Sequence, residues 1–340
     1  MNRVVRPRIN GDEDLSPTKF RERFRLERAV VEKILHFIGD DLAHDTDRNH
    51  ALTPKQQLLL TLRFLATGSF YHVVGDAHGP SKATVYRAVH RAVEAIVNRL
   101  MGLIAFPNTH EATRALQAQF HGKAGLPNVI GCIDGCHIDL RVPTDVENAY
   151  INRHQRTSLN VMAVAGADGR FLCVSAHAGG RQHDSRVLAT SGLVEKLETD
   201  SLVPVGGGVL LGDSAYPSRR YLLTPINHPG TAAEERYNKA HCRTRVCVEQ
   251  AFGQLKMRWW CLKHGLRFHR VADSVRTVMA CCILHNIAKL EGDEGDWMQD
   301  VAAAQDLGEP DAPELPPPEP VAAVRRLAFA RRAEFVRLFQ

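Results

Sequence analysis

Hydrophobic positions recur at three- and four-residue spacing through the first third of the chain, then give way to short apolar runs after Gly125. Ser16-Pro17 reads as an N-cap followed by proline at the first helical position, and predicts a helix through Ile38 with Phe20, Phe24, Val30, Ile34 and Phe37 on its apolar side. Thr53-Pro54-Lys55-Gln56 is a capping box with proline at N1, opening a mostly buried helix over Leu58–Leu65. Thr67-Gly68-Ser69 breaks that helix, and Phe70–Asp76 adds one or two further turns. Gly79-Pro80-Ser81 forms a turn and N-cap before a helix carrying Val85, Val89, Ala92, Val93, Ile96, Leu100 and Leu103 on one face.

Gly125-Leu126-Pro127 marks the join to an α/β part. Strands are predicted at Val129–Leu140, Ser158–Ala165, Phe171–Ala176 and Val209–Leu211, with Leu222–Pro225 as a short fifth. Asp168-Gly169 supplies a hairpin turn between the second and third. His183-Asp184-Ser185 caps a helix from Arg186 to about Leu197, and Asp184 is read there as an N-cap, with the alternative that it replaces Asp213 as the second carboxylate. The pattern is helical again from Thr244, where Val248, Phe252, Leu255 and Trp259 share a face, and Ser274–Leu290 is a helix apolar nearly all round. The organisation that follows is a flexible N-terminus (1–15), a helical region (16–124), an α/β domain (125–292), an acidic, proline-rich linker (293–320) and a basic amphipathic helix (321–340).

Composition changes this picture little: 44% hydrophobic and 24% charged residues are ordinary for a soluble globular chain. The N-terminus has no apolar segment of signal-peptide type, and the uncharged apolar stretch Thr277–Ala288 is far short of the ~20 residues that span a bilayer. The eight cysteines show no paired CxxC spacing and several fall at apolar positions, which fits a reducing, intracellular setting.

Charge matters through its distribution. The net charge is only +5, yet Lys239–Arg270 holds eight Lys/Arg against the single acid Glu249. That run suits a polyanion-facing surface, although a charge run of this kind is often only a solvated face. A second basic feature is the segment 69–103, where a short helix, a glycine turn and a longer helix from Ser81 have the layout of a helix-turn-helix. Lys82, Thr84, Arg87 and Arg91 are expected to face outward from it. A packed helical hairpin with a basic surface produces the same pattern.

Three carboxylates carry the candidate chemistry. Asp134 lies inside the apolar run Asn128–Ile138, Asp213 ends the run Val209–Asp213, and Glu249 follows Asp213 after 35 intervening residues. A carboxylate in an apolar segment is costly without a positive partner. With no equally embedded Lys or Arg expected, the three point to a bound divalent cation, Mg²⁺ or Mn²⁺, which take oxygen ligands and keep positions open for water and phosphate. Arg245, Lys256 and Arg258 flank Glu249 and, with Lys82 and Arg87, are the expected DNA contacts.

Several stretches together resemble the PIF/Harbinger class of DDE transposases and the nuclease derived from it: Gly131–Ile138, Asn148–Arg153, His183–Leu188, Leu211–Pro217, Arg236–His241, Val248–Lys256 and Ala280–Asn286. Their order and spacing agree over residues 15–290, with Cys136 standing where many members have Thr. The resemblance implies a mixed α/β sheet of RNase H-like type flanked by helices, with strand four beside strand one. It also implies that Asp134, Asp213 and Glu249 are the metal-binding triad of a DNA phosphodiesterase, acting in the nucleus, with the cytoplasm as a second location. Family members work with a separate Myb/SANT-like DNA-binding protein, and oligomers are compatible with the pattern. Two alternatives stand beside a nuclease: a domesticated DNA- or partner-binding protein without turnover, and an active transposase performing strand transfer.

Overall fold

A computed structural model describes residues 14–44, 51–199, 201–293, 295 and 322–340. The expected loose N-terminus and proline-rich linker lie almost wholly outside the described residues. In chain order the helices and strands are α1 (Pro17–Phe24), α2 (Arg28–Leu42), α3 (Pro54–Thr67), α4 (Tyr71–His78), α5 (Lys82–Leu100), α6 (His110–Ala124), β1 (Val129–Asp139), β2 (Ser158–Ala165), β3 (Phe171–Gly179), α7 (Asp184–Thr190), α8 (Leu193–Glu198), β4 (Val209–Leu211), β5 (Leu222–Leu223), α9 (Ala232–Arg258), α10 (Trp260–Lys263), α11 (Val271–Leu290) and α12 (Ala322–Arg337). They form two compact units interleaved along the chain: one takes the N-terminal helices through Leu103, residues 138–145 and the stretch from Gln254, the other Ile104–His137, Val146–Gly253 and α12. Compactness therefore does not follow the consecutive division at Gly125, since the chain from Gln254 through α11 belongs with the N-terminal helices.

The first unit is helical. The single helix expected over 16–38 is two, because Arg25 adopts a left-handed conformation (φ 64°) that caps α1 and lets the chain restart as α2. Ile38, fully buried, faces the core, while Phe37 is exposed. Thr53 and Gln56 form the expected reciprocal capping box at α3. Gly79 closes α4 in the left-handed region (φ 93°), and the Ser81 hydroxyl accepts the Thr84 N–H to start α5. α11 is buried nearly all round, as its uniform apolarity predicts.

The second unit is built on a five-stranded sheet of order β3-β2-β1-β4-β5. β2 and β3 are antiparallel, and β1–β4 and β4–β5 are parallel. This is the mixed, RNase H-like sheet that the resemblance implies, with strand four beside strand one. β2 is buried at every position, as a strand covered on both faces requires. The helix expected over 186–197 is interrupted by Gly192 (φ 72°) into α7 and α8. α9 starts twelve residues before the expected Thr244, behind a capping box in which Thr231 and Glu234 satisfy each other's backbone N–H groups. α12 lies on this unit, with Arg331 donating to the Gly207 carbonyl and Arg332 to the Pro225 carbonyl, each at 3.2 Å.

Candidate active site

The β1–β4 pairing sets the site. Cys132 is in register with Leu211, so two residues further along each strand bring Asp134 and Asp213 level and onto one face. Asp213 has by then left β4, and its Oδ1 accepts the Ala215 N–H at 3.1 Å, a local turn that holds the carboxylate at the strand's end. Asp134 Oδ1 accepts the Gly135 N–H at 2.9 Å.

A third aspartate acts on both. Asp184 is the first residue of α7, and the N-cap position before the helix is His183. Asp184 Oδ1 accepts from the Asn160 amide at 2.7 Å, and the same amide donates to the Gln182 carbonyl at 2.9 Å. Asn160 is buried on β2, with its own Oδ1 unpartnered. Asp184 adds to the negative field at both Asp134 and Asp213. Asp184 lies against Gly135, whose side-chain direction on β1 is opposite to that of Asp134, so it acts on the aspartate pair through its charge, and the N-cap position expected for it is taken by His183.

Glu249 comes from α9. The buried stripe of that helix runs Tyr237, Ala240, His241, Thr244, Cys247, Val248, Ala251, Phe252 and Leu255. Two polar members tie it to the sheet: the Tyr237 hydroxyl donates to the Thr224 carbonyl (3.1 Å), and His241 Nε2 to the Leu223 carbonyl (3.1 Å). On the adjoining face, Arg245 Nη1 meets Asp134 Oδ2 at 3.3 Å while Nη2 pairs with Glu249 one turn on. Glu249 itself is exposed, and joins the cluster through Arg245.

Burial sets the electrostatics. It pushes the Asp134 carboxyl up to about 7; Arg245 opposes the shift, and Asp213 and Asp184 add to it. Asp213 is raised for the same leading reason, again against Arg245 and with Asp184. For Arg245 burial works against the charge, but Asp134, Glu249 and Asp213 outweigh it and its pKa is raised. The expectation that no Arg is equally embedded is therefore corrected: only 17% of the Arg245 side chain is exposed, and it sits among the acids.

Do these residues suit a divalent cation? The donors are hard carboxylate oxygens, and of the four acids three, Asp134, Glu249 and Asp213, act on one guanidinium, leaving an excess of negative charge in a half-buried place. In chemistry and charge they fit. As they stand, no three His, Cys, Asp or Glu side chains among the described residues are gathered closely enough to hold an ion. The group between Asp134 and Glu249 is the Arg245 guanidinium.

The remaining basic candidates separate by burial. Lys82 and Arg87 are exposed near the start of α5. Arg91 is not an outward contact, since it donates to the carbonyls of Asp41 (2.9 Å) and Ala43 (2.8 Å). Lys256 is half-buried. Arg258 is corrected outright: it is 1% exposed and donates to the carbonyls of Arg25 (2.7 Å) and Asp293 (2.6 Å), so it serves the fold and offers no surface charge.

Comparison with known proteins bears on this geometry directly. The model of the DDE superfamily endonuclease family matches residues 133–286, a span that includes all four acids. The rat protein named "Putative nuclease HARBI1" is 34% identical over 282 residues, covering 82% of this chain and 80% of that one. This chain belongs to the Harbinger family of DDE transposase-derived proteins. Its human relative of the same name is 33% identical over 286 residues, with 82% and 80% covered. An Arabidopsis thaliana relative, "Protein ALP1-like", is 28% identical over 290 residues, with 80% and 70% covered. No solved structure matches the chain. DDE endonucleases as a class use divalent metals. Among the described residues of this Harbinger relative, no helix is long and apolar enough to cross a membrane.

Proposed function

We propose that this protein is a divalent-metal-dependent nuclease that hydrolyses phosphodiester bonds in DNA, a task that belongs in the nucleus. The observation that supports the reading is that Asp134 on β1 and Asp213 just past the end of β4 each lie two residues beyond the paired Cys132 and Leu211, with Glu249 on α9 linked to Asp134 through Arg245. Asp134 and Asp213 would hold Mg²⁺ or Mn²⁺ from the sheet, and Glu249 would complete the ligand set from the helix. The bound ion supplies an activated water and stabilises the leaving oxygen of an in-line displacement. Asn160 keeps Asp184 beside the aspartate pair and so maintains the negative field that attracts the cation. Lys82 and Arg87 on α5, and Lys256 and Arg245 on α9, would meet DNA phosphates.

One observation favours a second reading. Arg245 already pairs with Asp134 and Glu249, as it would in a DNA-binding protein that keeps the acids as structure alone. Cleavage of supercoiled DNA during a Mg²⁺ and Mn²⁺ titration, with and without a Myb/SANT-like partner, separates the two. A nuclease loses metal-dependent cleavage on Asp213→Asn while its melting temperature is kept. Equal cleavage by that variant and the wild type would remove Asp213 from the mechanism, and absence of cleavage in every arm would favour the binding protein.

A further inference from the structure

Arg245 is the cationic group acting on Asp134 and on Asp213, and its two terminal nitrogens are divided between Asp134 and Glu249. A cation that takes the oxygens Arg245 holds, Asp134 Oδ2 and Glu249 Oε1, must break both pairs. Doing so leaves a half-buried guanidinium without its counter-charges, which is strongly unfavourable unless an anion replaces them. The stem of Arg245 rises from a helix whose neighbouring positions Thr244, Cys247 and Val248 are buried against the sheet, so the backbone is held while the long side chain can turn. The anion that suits a guanidinium, with two parallel donors, is a phosphodiester.

From this we infer that Arg245 couples metal loading to DNA binding. It holds Asp134 and Glu249 while substrate is absent, and releases them to the metal when a DNA phosphate takes its charge. The inference rests on the metal-dependent reading above and adds an order to it: the ion is bound weakly by the free protein and tightly by the DNA complex. Linkage makes the effect reciprocal, so the factor by which DNA tightens the ion is the factor by which the ion tightens DNA. The arrangement would keep a free nuclease from carrying an armed metal centre.

The test is Mn²⁺ binding to the full chain at pH 8, read by electron paramagnetic resonance at low temperature, with and without a short duplex whose own Mn²⁺ uptake is subtracted. Without DNA, Arg245→Gln should bind Mn²⁺ about tenfold more tightly than the wild type. The duplex should close most of that gap by tightening the wild type. Arg245→Lys, which keeps a charge, should stay near the wild type, and Arg245→Met, which keeps the apolar stem, repeats the test if Gln disturbs α9. A metal–phosphate contact acting alone would leave the effect of DNA unchanged in Arg245→Gln. Should Arg245→Gln bind Mn²⁺ no more tightly than the wild type while Asp213→Asn loses it, the coupling is overturned and the metal site survives. Should none of these proteins retain Mn²⁺ with or without DNA, the coupling and the metal-dependent nuclease fall together.

Discussion

Gly135 and Asp184 touch so closely that a Cβ on Gly135 would stand 2.7 Å from the Asp184 carboxylate carbon. Gly135 has no positive φ, so its need for glycine is a matter of space alone. The missing side chain on β1 leaves the space that the Asp184 carboxylate of α7 occupies. Gly135→Ala should therefore destabilise the fold by about 1–3 kcal/mol, the usual cost of overpacking, and push Asp184 off Asn160. Urea unfolding measures the first effect. An unchanged midpoint with an unchanged slope would show that the contact carries no strain.

Arg258 and Arg87 both lie in basic stretches, and burial assigns them opposite roles. Arg258→Ala leaves two backbone carbonyls without their donor and opens a space in the helical unit. It should cost roughly 3 kcal/mol of stability, and the folded variant should keep the salt dependence of DNA binding. Arg87→Ala and Lys82→Ala should do the reverse, each reducing the slope of log K against log salt by about one with little change in melting temperature. Binding isotherms at several salt concentrations decide this. A reduced slope in folded Arg258→Ala would contradict its buried role.

His241 gives stability a pH dependence of known sign. Burial lowers its pKa to about 4, so between that value and its ordinary 6.5 the unfolded chain binds the proton and the folded one does not. Its contribution is intact above 6.5 and is lost as pH falls towards 4, by up to about 3 kcal/mol. Asp134 runs the other way: a carboxyl raised to about 7 costs stability as pH rises from about 4. Comparing wild type with His241→Gln isolates the histidine. The variant's deficit at pH 7.5 should shrink steadily towards pH 4, and a deficit constant across that range would mean His241 is not held neutral.

The strands were the most legible part of the chain. Each apolar run from Val129 to Leu223 became a strand, because burial on both faces selects continuous apolar residues whatever their neighbours do. Helix limits were read less well where the signal was not aliphatic. The first half of α9 buries Tyr237, His241 and Thr244, polar types that satisfy themselves by hydrogen bonds and leave no apolar stripe to count. Arg25 turns the chain in a left-handed conformation with no glycine to announce it. At the site, Asp134 lies on a strand, Asp213 just past a strand's end and Glu249 on a helix, as their local patterns indicate, whereas their partners are not legible in the sequence. That Arg245 points inward and Arg258 is sealed off depends on which side of α9 meets the sheet and where the helix ends, neither of which a count of charges contains. Asn160 sits inside an apolar strand as the one amide, a small signal whose partner lies 24 residues away.

The register of β1 with β4 also says which changes of length this protein can absorb. Between β3 and β4 the chain only has to return to the sheet, so segments added or removed there leave the acid pair facing as before. Between Leu211 and Asp213 there is no such slack, since one inserted residue turns the second carboxylate to the opposite side of the sheet. The two-step offset from the last paired residue, rather than the separation along the polypeptide, is what fixes the geometry of the pair.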